Sequence, residues 1–129
     1  MNRQMLRSKI HRIAVTECDV EYEGSLTLDP HFMREAGMVP YERIDVYDVD
    51  NANRFSTYLI QGRPGSGECC VNGAAARLVG MGDKLILASY CSIEDEDVAN
   101  HQPQVVLVGE GNRIKGIKNA EQAGVRVVG

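Results

Sequence analysis

The chain contains no tryptophan and only two phenylalanines in 129 residues. So few flat rings leave little for stacking the bases of a single-stranded nucleic acid. A basic excess is missing as well. The net charge of -4 gives no general footprint for nucleic acid and leaves only a local patch to consider. No apolar run approaches the roughly 20 residues that a membrane-spanning helix needs. The basic start, Met1-Asn2-Arg3-Gln4-Met5-Leu6-Arg7, has no apolar stretch behind it and does not read as a secretory signal. The expected compartment is the cytoplasm, with no membrane and no nucleic acid as partner.

Metal frameworks are lacking too. Vicinal Cys69-Cys70, with Cys18 and Cys91 far off, does not supply the paired spacing of a zinc site. Adjacent cysteines also bridge each other poorly, so reduced, partly buried thiols are expected. His11, His31 and His101 form no H-x-x-x-H pair, and no metal is expected. There is no G-x-S-x-G nucleophile elbow, no internal repeat and no linker-like shift in composition. Residues 1–129 read as a single domain.

Many short β-type segments are present, punctuated by Gly, Asn and Pro. Met5 to Thr16 alternates apolar and polar residues and reads as a long strand with one basic side. Ser25-Leu26-Thr27-Leu28 is a second strand after a turn at Glu21 to Gly24. Asp29-Pro30 opens the best helix: Asp29 can cap it, Pro30 suits its first turn, and Gly37 can end it. Arg43 to Val49 alternates with Ile44, Val46 and Val49 on one side. Asn51-Ala52-Asn53 then turns into a strand from Arg54 to Ile60, forming a hairpin. Glu68 to Val71 is a short strand before one helical turn at Ala74 to Leu78. Lys84 to Tyr90 is the most apolar strand, Ile93 to Ala99 is an acidic turn, and late strands follow at Gln104 to Val108 and around Ile114. This pattern predicts a mainly β fold, a compact β-barrel with a few short helices.

Several motifs dissolve under scrutiny. Gly62 to Gly67 is glycine-rich but lacks the phosphate-loop pattern and a following helix, so a mobile loop is expected. Glu94-Asp95-Glu96-Asp97 lacks the spacing of a calcium loop and reads as a solvated face. Arg3, Arg7, Lys9 and Arg12 read as a solvated strand face, unless Lys9 joins Arg54 in a cleft for a dianion. Gly24-Ser25 alone reads as a loop, as most Gly-Ser pairs do, yet the chemistry it could carry can be stated. A serine hydroxyl can attack the preceding carbonyl and turn the amide into an ester, and glycine leaves that carbonyl unhindered and tolerates a strained turn. Elimination then gives dehydroalanine at position 25, and hydrolysis leaves a pyruvoyl group.

Tyr22-Glu23-Gly24-Ser25 resembles the cleavage site of the bacterial, pyruvoyl-dependent aspartate 1-decarboxylases. The resemblance extends over nearly the whole chain. Lys9-Ile10-His11-Arg12 is similar to the family's basic first strand, and Asn53-Arg54-Phe55-Ser56-Thr57-Tyr58 to its active-site strand. Val71-Asn72-Gly73-Ala74-Ala75-Ala76 resembles its substrate-binding turn, and Gly82-Asp83-Lys84-Leu85-Ile86-Leu87-Ala88 its buried strand. The resemblance implies a double-psi β-barrel, a homotetramer with sites between subunits, and self-cleavage of a zymogen into 1–24 and 25–129. It implies conversion of L-aspartate to β-alanine and carbon dioxide for pantothenate and coenzyme A synthesis.

The resemblance also implies roles. Ser25 becomes the covalent pyruvoyl cofactor, which forms a Schiff base with the substrate amine and serves as electron sink. Gly24 supplies the scissile carbonyl, and Thr57 assists cleavage and contacts substrate. Tyr58 is the proton donor, since a phenol holds its proton at neutral pH. Arg54 and Lys9 anchor the substrate carboxylates, with Asn72, Gly73, Ala74 and Ala75 around the substrate. His11, Tyr22 and Tyr47 take supporting roles, and Tyr47 stands where some relatives carry tryptophan. Cys69-Cys70 and the tail from Asn119 to Gly129 match no family signature. Whether an accessory maturation protein is a partner stays open. So do a longer dicarboxylic substrate such as glutamate and, outside the family, a binding module using Arg3 to Arg12.

Overall fold

The computed structural model describes residues 1–124. Its strands are β1 (Asn2–Ala14), β2 (Glu17–Asp19), β3 (Ser25–Leu28), β4 (Arg43–Asp48), β5 (Arg54–Gln61), β6 (Cys69–Asn72), β7 (Lys84–Glu94), β8 (Gln104–Gly109) and β9 (Arg113–Lys118). One α-helix, α1 (Pro30–Ala36), and three short 3₁₀ helices at Gly73–Leu78, Asp95–Asn100 and Glu110–Asn112 connect them. The strands lie in the order β2-β6-β3-β5-β4-β7-β1-β8-β9. β3 runs parallel to β5, β1 to β8 and β2 to β6, while the other neighbours are antiparallel. The expected mainly β, barrel-like fold with a few short helices is what forms.

Two-residue alternation decides which side chains go inside. Ile10 and Ile13 of β1, Leu26 and Leu28 of β3, Ile44 and Val46 of β4, and Leu85 and Leu87 of β7 are buried together, with Phe32, Met33 and Ala36 of α1 packed on them. Burying each large aliphatic chain contributes about 1.5–3 kcal/mol. The sheet's two ends are held by side chains. Asn112, just before β9, bonds both the N–H and the carbonyl of Ala14 and the carbonyl of Gly67 ahead of β6. Thr16 closes the same rim: its N–H donates to the Cys69 carbonyl and its hydroxyl accepts from the Cys69 N–H, both at 2.9 Å.

Several expectations change in detail. β4 stays in phase, so the buried position after Val46 is Asp48, and Val49 is 42% exposed. Asp48 is tolerated inside because its Oδ1 accepts the N–H groups of Asp50 and Asn51 in the turn. Burial, followed by the neighbouring Asp83 carboxyl, pushes its pKa up. β2 has no counterpart in the sequence reading, and β7 runs on to Glu94. The basic side of β1 is a series of ion pairs: Arg3 with Asp95, Arg7 with Glu42 and Lys9 with Glu121, each at 2.5 Å. Arg12 leaves the row altogether, because a bulge between His11 and Ile13 gives it a φ of 73°.

Asp29 does more than cap. Its Oδ1 accepts from His31 N–H at 2.9 Å and from Gly65 N–H at 3.1 Å, and its Oδ2 accepts from Gly67 N–H at 2.9 Å. The glycine-rich loop, expected to be mobile, is thereby fastened to the start of α1. Burial alone would push the Asp29 carboxyl up. The N–H groups of His31, Gly67 and Gly65 outweigh it, and the pKa lies below the usual carboxylate value. Asp29→Ala should cost about 2–3 kcal/mol by urea denaturation at neutral pH. A depressed folded-state pKa means that this stabilisation is complete above the unfolded pKa and fades as pH falls. The gap between wild type and variant should therefore hold at neutral pH and narrow below about pH 4.

Candidate active site

β3 has four residues, and its two leucines are fully buried. Ser25 and Thr27 must then point to the other face of the strand. Ser25 is directly opposite Asn72 in β6, and Thr27 opposite Cys70. The Asn72 amide joins all three: Nδ2 donates to Ser25 Oγ and to Thr27 Oγ1, each at 3.0 Å, and Oδ1 accepts from Cys70 Sγ at 3.1 Å. The Ser25 hydroxyl donates to the Glu23 carbonyl at 3.3 Å. Ser25 is 2% exposed and Asn72 3%, so this is a small buried polar network with its groups paired.

On its other side β3 meets β5 in parallel, with Leu26 opposite Leu59. The same offset carried one residue back sets Ser25 beside Tyr58. A pocket of about 430 Å³ opens here, lined by Tyr22, Glu23, Ser25, Tyr41, Tyr58 and Gln61 among others. Tyr41 stacks on Tyr58 with ring centres 6.3 Å apart. The close backbone approach lies at Gly73 and not at Gly24. Gly73 has a φ of 74°, and a Cβ on it would stand 2.7 Å from Gly24 Cα and 2.9 Å from Gly24 N. A Cβ on Gly24 would meet nothing within 4 Å, and its φ is not left-handed. Ala74 is exposed and Ala75 half-buried at the start of the 3₁₀ helix that follows.

The remaining candidates stand elsewhere in the same chain. The Arg54 guanidinium lies 4.6 Å from the centre of the Tyr47 ring, and Tyr47 Oη is 2.9 Å from Tyr90 Oη. That hydrogen bond, with burial, pushes the Tyr90 phenol up to about 12. Lys9 is half-buried on β1, where its Nζ is 2.5 Å from Glu121 Oε2. The registers run Lys9 to Ala88, Ala88 to Asp45 and Asp45 to Ser56. Lys9 is thus three inter-strand steps from β5, roughly 14 Å along the sheet of one chain. His11 is held below its usual pKa by burial and by the charges of Lys9 and Arg12, and its Nδ1 has no partner. Cys70, Thr27, Tyr41 and Glu121 were not read as site residues. For Cys70 and Thr27 a signal existed: each is two residues from a candidate on a strand, hence on the same face.

A buried serine held by an amide donor, with a phenol on the pocket beside it, equips an enzyme better than a binding barrel, and Arg3, Arg7 and Lys9 of β1 are each paired with a carboxylate. A profile of the aspartate decarboxylase family matches residues 1–115. The chain belongs to that family. It is 52% identical over 118 residues to the aspartate 1-decarboxylase of Ralstonia nicotianae, covering 92% of this chain and 98% of the relative. It is 50% identical over 118 residues to that of Methylibium petroleiphilum, with the same coverage. It is 48% identical over 124 residues to that of Legionella pneumophila strain Lens, covering 96% and 92%.

The two glycines should respond oppositely in a Ser25→Ala background, where the chain stays intact. Gly73→Ala should lose at least about 2 kcal/mol through its left-handed backbone and its contact with Gly24. Gly24→Ala should stay within about 0.5 kcal/mol. Urea denaturation of the two double variants measures both.

Proposed function

We propose that this chain is a pyruvoyl-dependent L-aspartate decarboxylase that cuts itself between Gly24 and Ser25. The observation that carries the reading is the position of Ser25: buried, hydrogen-bonded by Asn72, directly after a glycine and beside Tyr58. In the cleavage, Ser25 Oγ attacks the Gly24 carbonyl carbon, the C–N bond breaks, and the freed nitrogen takes a proton. Loss of the Ser25 α-proton expels the Gly24 carboxylate and leaves dehydroalanine. One water then replaces that nitrogen, which departs as ammonia, and position 25 ends as a pyruvoyl group. Thr57, the residue before Tyr58 on β5, is the proposed hydrogen-bond partner of the carbonyl oxygen as it becomes tetrahedral.

The residues present fit such a group: position 25 is enclosed, faces an amide donor, and opens on a pocket of a size for an amino acid. A pyruvoyl carbonyl supplies an electrophile for an amine and a sink for the electron pair released with carbon dioxide. The chain's own part is to hold and to protonate. Tyr58 presents a phenol to the pocket and is the proposed proton donor to the carbon that loses the carboxylate. Asn72 and the turn Gly73-Ala74-Ala75 border position 25. Arg54 and Lys9 are the proposed carboxylate anchors, and the Glu121 carboxylate on Lys9 Nζ is chemistry of the kind an acidic substrate brings. Their separation within one chain supports a site completed between subunits of a homotetramer, with His11, Tyr22 and Tyr47 as supporting groups. Residues 1–129 then act as one decarboxylase domain in the cytoplasm, making β-alanine for pantothenate and coenzyme A synthesis.

Denaturing mass spectrometry is the direct test. Wild type should give two fragments, 1–24 and 25–129. Together they should be heavier than the precursor by one water and lighter by one ammonia. The long fragment should have a blocked N-terminus, and Ser25→Ala should stay one chain. A wild-type chain that remains intact after prolonged incubation overturns the proposal. Tyr58→Phe should still cleave yet lose about 10²–10⁴-fold in carbon dioxide release from L-aspartate. Unimpaired release would remove Tyr58 from the proton-donor role.

A further inference from the structure

We infer that the Cys70 thiol is a positioning residue for self-cleavage, setting the orientation of the Asn72 amide so that its NH₂ faces Ser25. The inference rests on the cleavage proposed above and adds a residue to it. Asn72 can be placed in its slot two ways round, and the neighbours decide which. In the observed arrangement, Cys70 Sγ is 3.1 Å from Asn72 Oδ1, and both amide hydrogens go to hydroxyl oxygens, Ser25 Oγ and Thr27 Oγ1. The opposite arrangement points an N–H group at sulfur, a weak acceptor, in a place where Cys70 is 5% exposed and Asn72 3%. It also sets a carbonyl oxygen against Ser25, whose own hydrogen is already given to the Glu23 carbonyl.

The donor directions therefore run one way: Cys70 S–H to Asn72, Asn72 N–H to Ser25, Ser25 O–H to Glu23. Cys70 is a donor only while it keeps its proton. Burial, followed by the nearby carboxylates of Glu17 and Glu68, pushes the thiol up to about 11, so the donor persists across the neutral range. Cys69 makes a contrast. It is the adjacent thiol, but strand alternation turns it to the opposite face, into the hydrophobic core.

The test follows precursor synthesised in a cell-free translation mixture and separates the thiol's donor role from its bulk. Cys70→Ala should self-cleave roughly tenfold more slowly, the equivalent of one lost buried hydrogen bond. Cys70→Ser keeps a donor and should cleave within about threefold of wild type. Cys69→Ala, with the same sulfur removed from the core face, should lower the melting temperature without selectively slowing cleavage. Cleavage of Cys70→Ala at the wild-type rate overturns the inference. So does equal slowing of Cys70→Ala and Cys70→Ser, which would make sulfur packing the cause. Wild-type precursor that never cleaves sinks the parent reading and this inference together, whereas the other two outcomes sink the inference alone.

Discussion

The register of one four-residue strand governs the candidate site. β3 is short, yet Leu26 and Leu28 are both fully buried, and its alternation leaves no choice about Ser25 and Thr27. A slip of one residue would put Ser25 in the core and a leucine in the pocket, exchanging the faces of every residue in the strand. β5 and β6 hold β3 on both edges, one in parallel and the other antiparallel. From that clamp come Asn72 on one side of Ser25 and Tyr58 on the other. The chemistry is placed by two leucines that take no part in it.

The same clamp explains where backbone strain resides. Attack on a peptide carbonyl needs access, and Gly24 is open on the side where a Cβ would lie. The close approach is carried instead by Gly73, whose left-handed φ lets the turn after β6 press against the Gly24 backbone. Glycine is required at Gly73 for conformation and contact, whereas the structure leaves room for a Cβ at Gly24. Asn72, one residue before Gly73, is thus held near the Gly24-Ser25 bond from both the strand and the turn.

Local patterns were legible in the sequence. The Asp29-Pro30 start and Gly37 end of α1, the β4–β5 hairpin and the buried Lys84 strand all follow from capping, turn chemistry and alternation, and all formed. Pairings distant in sequence were not legible. Nothing in Ser25–Leu28 states that its parallel partner is β5, because a parallel neighbour is chosen by the packing of the whole sheet. Bulges were invisible for a similar reason, and Arg12 left the basic row because of one. The core position at Asp48 was misassigned to Val49 because apolar character was weighed above phase. The site residues named by resemblance fell into a connected group around Ser25 and a detached group on β1, β4 and β5. The detached group shows that a motif can match in sequence while its members stand apart in one chain.

The topology also bears on what the proposed cut does to the fold. Residues 1–24 contain β1, which lies between β7 and β8 in the interior of the sheet, and β2, which pairs with β6. Cutting after Gly24 breaks one covalent bond and removes no strand pairing. Ile10 and Ile13 of the short fragment remain fully buried against residues of the long one. The Asn112–Ala14 and Thr16–Cys69 hydrogen bonds also run between the two pieces. The fragments are therefore a split barrel whose halves complete a common core, and they should separate only when that core is unfolded. Self-cleavage on this scaffold can change the end groups at Gly24 and position 25 while the walls of the site stay where β3, β5 and β6 hold them.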